Sequence, residues 1–234
     1  MSSAPSSAAD PGVREDDARA SAASAAVLIP AFDEAANLAP VVKAALEADL
    51  GPVLVVDDGS RDATAVAARA AGAGVVRLDR NRGKGAALRA GAEAVASEVV
   101  VLLDADLVGL TAEHVRALAE PVTTGRVDMT RGAFRGGRWR TTAAQRITPQ
   151  LNGQRALRRA SLLAVPGLAE SRYGVEIAIT RHAEERNWRC LDVPLEGVTQ
   201  VMKEEKRGLL RGLAIRLRMY AEILAALVRR RSAD

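Results

Sequence analysis

The sequence predicts one α/β domain, a mostly parallel central sheet with helices on both faces. Apolar runs of strand length, AAVLIP, PVLVVD, GVVRLD and EVVVLLD, alternate with stretches of helical pattern. Such alternation is typical of crossover units, which join parallel strands that are buried on both faces. The chain has 234 residues and is 48% hydrophobic, which suits one sizeable core rather than two independent domains.

The predicted elements follow one another in a regular order. Helices are expected from Glu34 to about Asp49, from about Asp62 to Ala71, and over GKGAALRAGAEAVAS. A further helix is expected from about Thr111 to Val122, followed by a strand over VDMTRGAF. The segment from Gly136 to Gly167 is rich in Arg, Thr and Gln, so we expect helix and loop there. The last helix and strand are predicted over YGVEIAITRHAEERN and WRCLDVPLEGV.

The two ends of the chain differ from the domain over residues 26–205. Residues 1–25 mix Ala, Ser and Pro with charged residues and have no apolar run, so we expect a disordered tail. Residues 206–234 place leucines at helical spacing, with arginines on another face. This basic amphipathic helix either packs on the core or on a second subunit of a homodimer, or lies on a membrane surface.

The amino-acid composition restricts the cellular compartment and the classes of partner that we expect for this protein. The single cysteine, Cys190, lies in a predicted strand and is expected to be a small buried residue, which leaves no disulfide framework and suits a reducing compartment. No apolar run reaches the length of a spanning helix, so we expect a cytoplasmic protein with at most peripheral membrane contact. Aromatic residues make up 3% of the chain, which argues against nucleic-acid binding by stacking.

Carboxylates end two of the predicted strands. Asp57 and Asp58 follow VLVV, and Asp104 and Asp106 follow VVVLL. Such acids should lie at the carboxyl edge of the sheet, where open α/β sheets bind ligands. On an extended segment, the spacing of Asp104 and Asp106 points both side chains the same way. Two hard oxygen donors suit Mg²⁺ or Mn²⁺, with open positions for phosphate oxygens, so the pattern predicts a nucleoside-diphosphate site.

A glycine-rich loop lies between the two acidic motifs. In NRGKG, which precedes a predicted helix, exposed backbone N–H groups and the helix dipole favour anions. Lys84 adds a positive charge for the nucleotide. Ser60 and Asp62 are expected to cap the helix that follows them. His114 and His182 fall on predicted helices away from the sheet edge, where we expect solvated surface.

The ordered motifs IPAFDE, VDDGSRD, NRGKGAA and LLDADL resemble those of the family 2 glycosyltransferases with the GT-A fold. The similarity runs from about Val27 to Gly208 and is greatest to the polyprenyl-phosphate mannose and glucose synthases and their phosphoglycerate-using relatives. It implies a Rossmann-like nucleotide-binding half and a metal-dependent transfer of a hexose from a UDP-glucose or GDP-mannose type of donor. The implied acceptor is a polyprenyl phosphate or a small phosphorylated acid.

The resemblance also implies roles for individual residues. Matching the donor-site motifs are Pro30, Ala31, Glu34, Asp57, Asp58 and Lys84, with Asp57 at the base. Asp104 and Asp106 match the DXD motif, whose second acid commonly binds the Mg²⁺ or Mn²⁺ ion directly while its first contacts ribose or metal. Some relatives supply a third ligand, often His, after the last strand. Here the nearest candidate is Gln200, a weaker neutral ligand.

On the acceptor side the resemblance is to NGQRALRR and YGVEIAI. Glu176 is the candidate general base if the acceptor is a hydroxyl, because a sugar hydroxyl needs a positioned carboxylate to lose its proton. A phosphate monoester is already ionised and needs no base. In that case Arg131, Arg135 and Arg155 are expected to bind the phosphate.

Two other functions compete with this interpretation. A sugar-nucleotide pyrophosphorylase would carry a glycine-rich loop containing Arg after the first strand, where this chain has IPAFDEAAN. A non-catalytic nucleotide-binding domain could retain the fold without turnover, but the intact DAD pair argues against it. A dehydrogenase fits less well, since GxGxxG is missing after the first strand.

Overall fold

A computed structural model describes residues 25–135, 152–171 and 174–201 of the chain. The predictions of a disordered tail over residues 1–25 and of an amphipathic helix over residues 206–234 lie outside these ranges, apart from residue 25. Among the described residues, no helix is long and apolar enough to cross a membrane.

The elements alternate along the first half of the chain, as the apolar pattern predicts. The strands are β1 (Ala25–Ala31), β2 (Val53–Asp57), β3 (Gly74–Arg77), β4 (Val99–Leu102), β5 (Leu107–Val108), β6 (Met129–Arg135), β7 (Arg155–Arg158), β8 (Cys190–Glu196) and β9 (Thr199–Gln200). The helices are α1 (Leu38–Glu47), α2 (Thr64–Ala70), α3 (Lys84–Ala94), α4 (Ala112–Thr123), α5 (Arg159–Leu163) and α6 (Val175–Glu185).

Seven strands form one mixed sheet in the order β3-β2-β1-β4-β7-β6-β8. The first four strands in this order are mutually parallel, β6 and β8 are parallel to each other, and β7 runs antiparallel to both β4 and β6. All strands except β7 therefore point the same way, which confirms the predicted mostly parallel sheet. A separate ribbon pairs β5 with β9, joining the segment after β4 to the end of the described chain.

The core consists of two apolar layers, one on each face of the sheet. Alternate residues of β1 enter different layers: Val27 and Ile29 pack with α1 and α4, and Leu28 packs with α3, α5 and α6. Residues of β1 can face apolar helices on both sides because crossover helices cover both faces of a parallel sheet. This explains why the strand is a continuous apolar run rather than an alternating one.

The expectation that residues 136–167 lack strand structure is wrong, because β7 lies inside that segment and in the middle of the sheet. It pairs Ala156 with Val101 on one side and with Thr130 on the other. The strand begins and ends in arginine, and Arg155 is fully buried. A buried arginine interrupts the apolar run by which a central strand is usually recognised.

Two single-residue expectations are also wrong. His182 is buried on α6, with its ring edge against Trp188 at a centroid separation of 5.4 Å, and is not on the solvated surface. Cys190 is exposed rather than buried: β8 is the last strand in the sheet order, and its first three residues are all exposed. His114 is half-buried, and its ring nitrogen Nδ1 accepts a hydrogen bond from the Thr111 N–H at the start of α4.

Two glycines of α3 give a test of this packing. A Cβ atom on Gly85 would overlap the carbonyl oxygen of Leu168 and lie 2.6 Å from that of Ser171, whereas one on Gly91 would meet the Val56 side chain at 2.8 Å. A backbone carbonyl group can move aside less easily than a side-chain methyl group, so the clash at Gly85 costs more. We expect Gly85→Ala to lower the free energy of unfolding by at least about 2 kcal/mol, as overpacking does, measured by urea denaturation.

Gly91→Ala is the matched control in the same helix. Its side-chain clash is offset by the helix propensity that Ala gains over Gly, roughly 1 kcal/mol. Equal losses in the two variants would contradict the close approach of the segment around Leu168 to the start of α3.

Candidate active site

The candidate site lies at the carboxyl edge of the sheet, where β2 and β4 flank β1. These three strands are parallel and in register, with Ala31 opposite Asp57 and Leu28 opposite Leu102. The loops that follow them therefore meet at one edge. The acids that the sequence places at strand ends are thereby brought to the place where α/β sheets bind ligands.

Asp57 is a fully buried carboxylate at the end of β2. Its Oδ1 accepts a hydrogen bond of 2.8 Å from the Ser60 N–H. Its Oδ2 lies 3.3 Å from a guanidinium nitrogen of Arg77 but has no hydrogen-bond partner among the described residues. A buried acceptor without a donor is costly, so Oδ2 is suited to a ligand N–H group.

Asp58 holds the loop that carries Lys84. Its two oxygens accept hydrogen bonds of 2.7 Å from the backbone N–H groups of Arg82 and Gly83. The N–H of Gly85 donates to the Ser171 carbonyl. These N–H groups, which the sequence suggested for phosphate binding, are therefore used within the protein. Asp58 therefore affects the ligand site indirectly, by holding in place the loop that carries Lys84.

The loops after β1 and β2 are tied to each other by side chains. The Asp33 N–H donates to Ser60 Oγ, and Asp33 Oδ1 accepts from the Arg61 N–H. Asp33 has a φ of 54°, a conformation that Asp and Asn tolerate better than most residues. Ser60 therefore does not cap α2 as expected. Asp62 does accept from the N–H of Thr64, the first residue of that helix.

Pro30, Ala31 and Glu34, which the family resemblance assigns to the nucleotide site, lie beside this loop pair. Pro30 and Ala31 are the last two residues of β1, and the Ala31 carbonyl accepts a hydrogen bond from the Asp58 N–H. The Glu34 N–H donates to Thr64 Oγ1, and the Glu34 carboxylate accepts from the Asn37 side chain before α1. Both contacts hold the loop after β1 against the start of the two neighbouring helices.

Asp104 is the point on which several parts of the chain converge. Its Oδ1 lies 2.6 Å from Lys84 Nζ, and its Oδ2 accepts from the side-chain amides of Gln154 at 2.9 Å and Gln200 at 2.7 Å. These donors come from the start of α3, the residue before β7, and β9. The carboxylate is thus fixed by groups up to 96 residues away in the chain.

Lys84 also contacts Glu176, with Nζ 2.5 Å from Glu176 Oε1. Burial opposes the charge of Lys84, but the attraction of Asp104 and Glu176 outweighs it, so the pKa of Lys84 is raised above its usual value. The ammonium group therefore stays charged and bridges the acid after β4 to the acid in the first turn of α6.

Asp106 lies two residues beyond Asp104, but the segment between them is not a continuous strand. β4 ends at Leu102, and Asp106 lies in the turn before β5. Leu103 and Ala105 are buried in the core, while Asp104 and Asp106 are half-buried. Burial thus alternates along the segment, but the segment is not the extended strand on which the prediction of a shared side was based.

The donor set fits a hard divalent cation at Asp104 and Asp106. Asp104 Oδ1 already faces a cationic group, the Lys84 ammonium. Carboxylate and amide oxygens are the ligands that Mg²⁺ and Mn²⁺ prefer. Over residues 25–135, 152–171 and 174–201, no cluster of three or more His, Cys, Asp or Glu side chains has metal-binding spacing. A metal held here would thus have few protein ligands.

The three arginines expected at the acceptor lie in different environments. Arg155 is fully buried, donates to Thr180 Oγ1 at 2.9 Å, and has its pKa lowered to about 10 by burial. Its position in the core removes it from any surface that an acceptor would meet. Arg131 is partly buried and pairs with Asp192 at 2.7 Å. Arg135 is exposed at the carboxyl end of β6.

The segment Asn152, Gly153 and Gln154 is the part of the site whose function sequence reasoning missed. The resemblance assigned NGQRALRR to the acceptor, whereas Gln154 contacts Asp104. A Cβ atom on Gly153 would lie 2.5 Å from Lys84 Nζ and 2.7 Å from Asp104 Oδ2. A glycine flanked by two amides just before a strand is the only local signal of this close approach.

Comparison with known proteins agrees with this geometry. The family model described as glycosyl transferase family 2 matches residues 26–174. The chain belongs to glycosyl transferase family 2. Its carboxyl-edge acids are therefore those of a glycosyltransferase domain.

Among solved structures, this family 2 chain is similar to glucosyl-3-phosphoglycerate synthase from Mycobacterium tuberculosis. The complex with Mn²⁺, UDP and glucosyl-3-phosphoglycerate aligns with a TM-score of 0.73 and 25% identity, over 96% of this chain and 86% of that chain. The complex with Mn²⁺, UDP-glucose and phosphoglyceric acid aligns with a TM-score of 0.66 and 26% identity, over 83% and 78%.

A curated relative is undecaprenyl-phosphate 4-deoxy-4-formamido-L-arabinose transferase from Pseudomonas aeruginosa strain LESB58. It is 40% identical over an alignment of 92 residues that covers 35% of this chain. The match spans only 27% of the length of that relative. The shared part is thus a fraction of a longer protein.

The ion-pair cluster can be tested with Lys84→Met. Removing the ammonium takes away the positive charge that contacts both Asp104 and Glu176, so we expect the free energy of unfolding in metal-free buffer to fall by about 1–3 kcal/mol. The control is Lys43→Met, which breaks a pair with Glu47 that is largely exposed and should cost less than about 0.5 kcal/mol. Equal, small effects would show that the cluster does not stabilise the fold.

Proposed function

We propose that this chain transfers a hexose from a uridine-diphosphate sugar to a phosphorylated acceptor, with Mg²⁺ or Mn²⁺ at Asp104 and Asp106. The observation that carries the proposal is the position of Asp57 and Asp104 at the carboxyl ends of the two strands that flank β1, in a family 2 domain. A base-binding acid and a metal-binding acid on either side of one strand suit the two ends of a nucleoside diphosphate.

Asp57 favours uracil as the base. Its Oδ2 is a single buried acceptor, because Oδ1 is used by Ser60, and the Arg77 guanidinium lies beside it as a donor. Uracil presents one N–H between two carbonyl oxygens, which matches one acceptor next to a donor. Guanine presents two neighbouring donors, and adenine and cytosine present a ring-nitrogen acceptor. The solved relatives with UDP support the same nucleotide.

The divalent ion would be held by Asp104 and Asp106, with Gln200 as a further neutral ligand through its amide oxygen. Bound there, the ion would offset the charge that builds on the departing nucleoside diphosphate. The solved relatives contain Mn²⁺ or Mg²⁺ together with UDP, which supports this assignment. Gln200 now donates to Asp104 Oδ2, so its amide would rotate to present oxygen.

Lys84 and Glu176 would act on the reacting groups. Lys84 lies between the donor-side acid and Glu176, and its charge suits a phosphate oxygen of the nucleotide. In this structure the Glu176 carboxylate is engaged by the Lys84 ammonium. Once the ammonium turns to phosphate, Glu176 would be free to accept the proton of a sugar or glycerate hydroxyl.

Arg135 is the arginine best suited to the phosphate of the acceptor. β6 runs in the same direction as β4, so Arg135 lies at the same edge of the sheet as Asp104. Its side chain is exposed, whereas Arg131 is paired with Asp192. A guanidinium in this position would bind a phosphate through two parallel hydrogen bonds. The phosphoglycerate-bound relatives support an acceptor of this class.

The donor assignment is tested by calorimetric titration of UDP-glucose and GDP-mannose, with Mn²⁺ and then with chelator. We expect metal-dependent binding of UDP-glucose and a loss of at least about tenfold in its affinity in Asp57→Asn, because an amide N–H in place of Oδ2 would oppose the uracil N–H. Asp49→Asn, an exposed substitution at the opposite end of β2, is the control. Unchanged binding by the Asp57 variant would remove this residue from the base site.

The acceptor assignment is tested with Arg135→Ala in a steady-state transfer assay using 3-phosphoglycerate and, separately, a short-chain polyprenyl phosphate. We expect KM for the true acceptor to rise about tenfold or more, as loss of a charged hydrogen bond predicts, while KM for the donor stays unchanged. Arg126→Ala removes an exposed arginine before the amino end of β6 and should change neither constant. A rise in the donor KM instead would assign Arg135 to the nucleotide.

A further inference from the structure

The contacts around Asp104 single out a residue with no assigned role. Gln154 is fully buried, and its side-chain amide donates to Asp104 Oδ2 at 2.9 Å. Its Oε1 is buried without a hydrogen-bond partner among the described residues, so the bond to Asp104 sets which way the amide faces. We infer that Gln154 is a positioning residue, which orients the Asp104 carboxylate so that Oδ1 faces the cation; this rests on the proposed function.

The backbone around Gln154 is held on both sides. The Gln154 N–H donates to Asn152 Oδ1 at 3.1 Å, and the Gln154 carbonyl accepts from the Gly132 N–H at 2.8 Å. The Asn152 side chain in turn donates to the Gly132 carbonyl at 2.6 Å. The segment before β7 is thus joined to β6 by two hydrogen bonds and braced by a third within itself. It forms a rigid base for the amide that reaches Asp104.

Gly153 lets this segment approach the carboxylate. A Cβ atom there would lie 2.7 and 2.8 Å from the two Asp104 oxygens and 2.5 Å from Lys84 Nζ. No side chain fits at that position without displacing the acid or the ammonium group. The Gly153 backbone therefore packs directly against the Asp104 carboxylate. The hydrogen bond from Gln154 then sets the rotation of that carboxylate.

The two oxygens of Asp104 are consequently different. Oδ2 accepts from the amides of Gln154 and Gln200, while Oδ1 faces Lys84 Nζ. Amide donors on Oδ2 direct Oδ1 toward a cation, which is what outer hydrogen bonds do for metal-binding carboxylates. Since Gln200 is proposed as a metal ligand, its amide would leave Oδ2 when the ion binds. Gln154 is buried and cannot leave as readily, so it would hold the carboxylate in both states.

The test compares Gln154→Met, which keeps length and removes the donor, with wild type. We expect the apparent Kd for Mn²⁺ in the presence of UDP to rise about tenfold or more by calorimetry, the effect typical of a lost outer hydrogen bond, with excess Mn²⁺ restoring kcat. The matched control is Thr130→Val, which removes a buried hydroxyl that bonds to Leu118 and Ala156, away from Asp104. It should leave the Mn²⁺ Kd unchanged.

Gly153→Ala provides a second variant, which needs no buried polar group to be removed. Displacement of Asp104 by the added methyl should weaken Mn²⁺ binding to a similar extent, so the inference stays testable if Gln154→Met fails to fold. Wild-type Mn²⁺ affinity in whichever variants fold would overturn it. An equal rise in the Mn²⁺ Kd of Thr130→Val would show that the effect comes from a general loss of structure. That result would also overturn the positioning role of Gln154.

Metal-free crystal structures of wild type and Gln154→Met separate this inference from the proposed function. We expect the Asp104 carboxylate to rotate in the variant and to keep its place in Thr130→Val. If wild type bound no Mn²⁺ with UDP, the proposed function would fail, and these structures would still decide the role of Gln154. An unmoved carboxylate in Gln154→Met would refute the positioning role.

Discussion

The interaction on which the site depends is the bridge that Lys84 makes between Asp104 and Glu176. It joins the loop after β4 to the start of α3 and the first turn of α6, two helices that pack on the same face of the sheet. Each carboxylate alone would be costly to bury. Together with the ammonium, they let three separate segments meet at one point, and the amides of Gln154 and Gln200 complete that arrangement.

The acids of the sequence motifs have two different roles: some hold loops together, and others face the ligand site. Asp58 and Asp33 are bonded to backbone N–H groups of neighbouring loops, at Arg82, Gly83 and Arg61. They hold loops in place and have little capacity left for a ligand. Asp57 retains a buried oxygen without a hydrogen-bond partner among the described residues, and Asp104 faces a cation. Neighbouring aspartates such as Asp57 and Asp58 can therefore have different roles, one at the proposed ligand site and the other in holding a loop.

Much of this arrangement could be predicted from the sequence. The apolar runs predict the parallel strands, and the acids after them predict the edge at which Asp57 and Asp104 lie. What could not be predicted depends on partners distant in the chain. The buried Arg155 side chain donates a hydrogen bond to Thr180 on another element. An arginine at this position kept β7 from being recognised as a strand in the sequence. The contact of Gln154 with Asp104 likewise has no local pattern, because it spans 50 residues.

The charges of the site suggest why metal and nucleotide would bind together. Asp104, Asp106 and Glu176 are acids, and Lys84 is the cation that contacts two of them. The sum over these four side chains is negative, so a nucleoside diphosphate would be repelled from the edge in the absence of a divalent ion. With the ion bound, the four side chains and the metal balance. Lys84 is then no longer needed by Asp104, and its charge becomes available to the phosphate, which links donor binding to the release of Glu176.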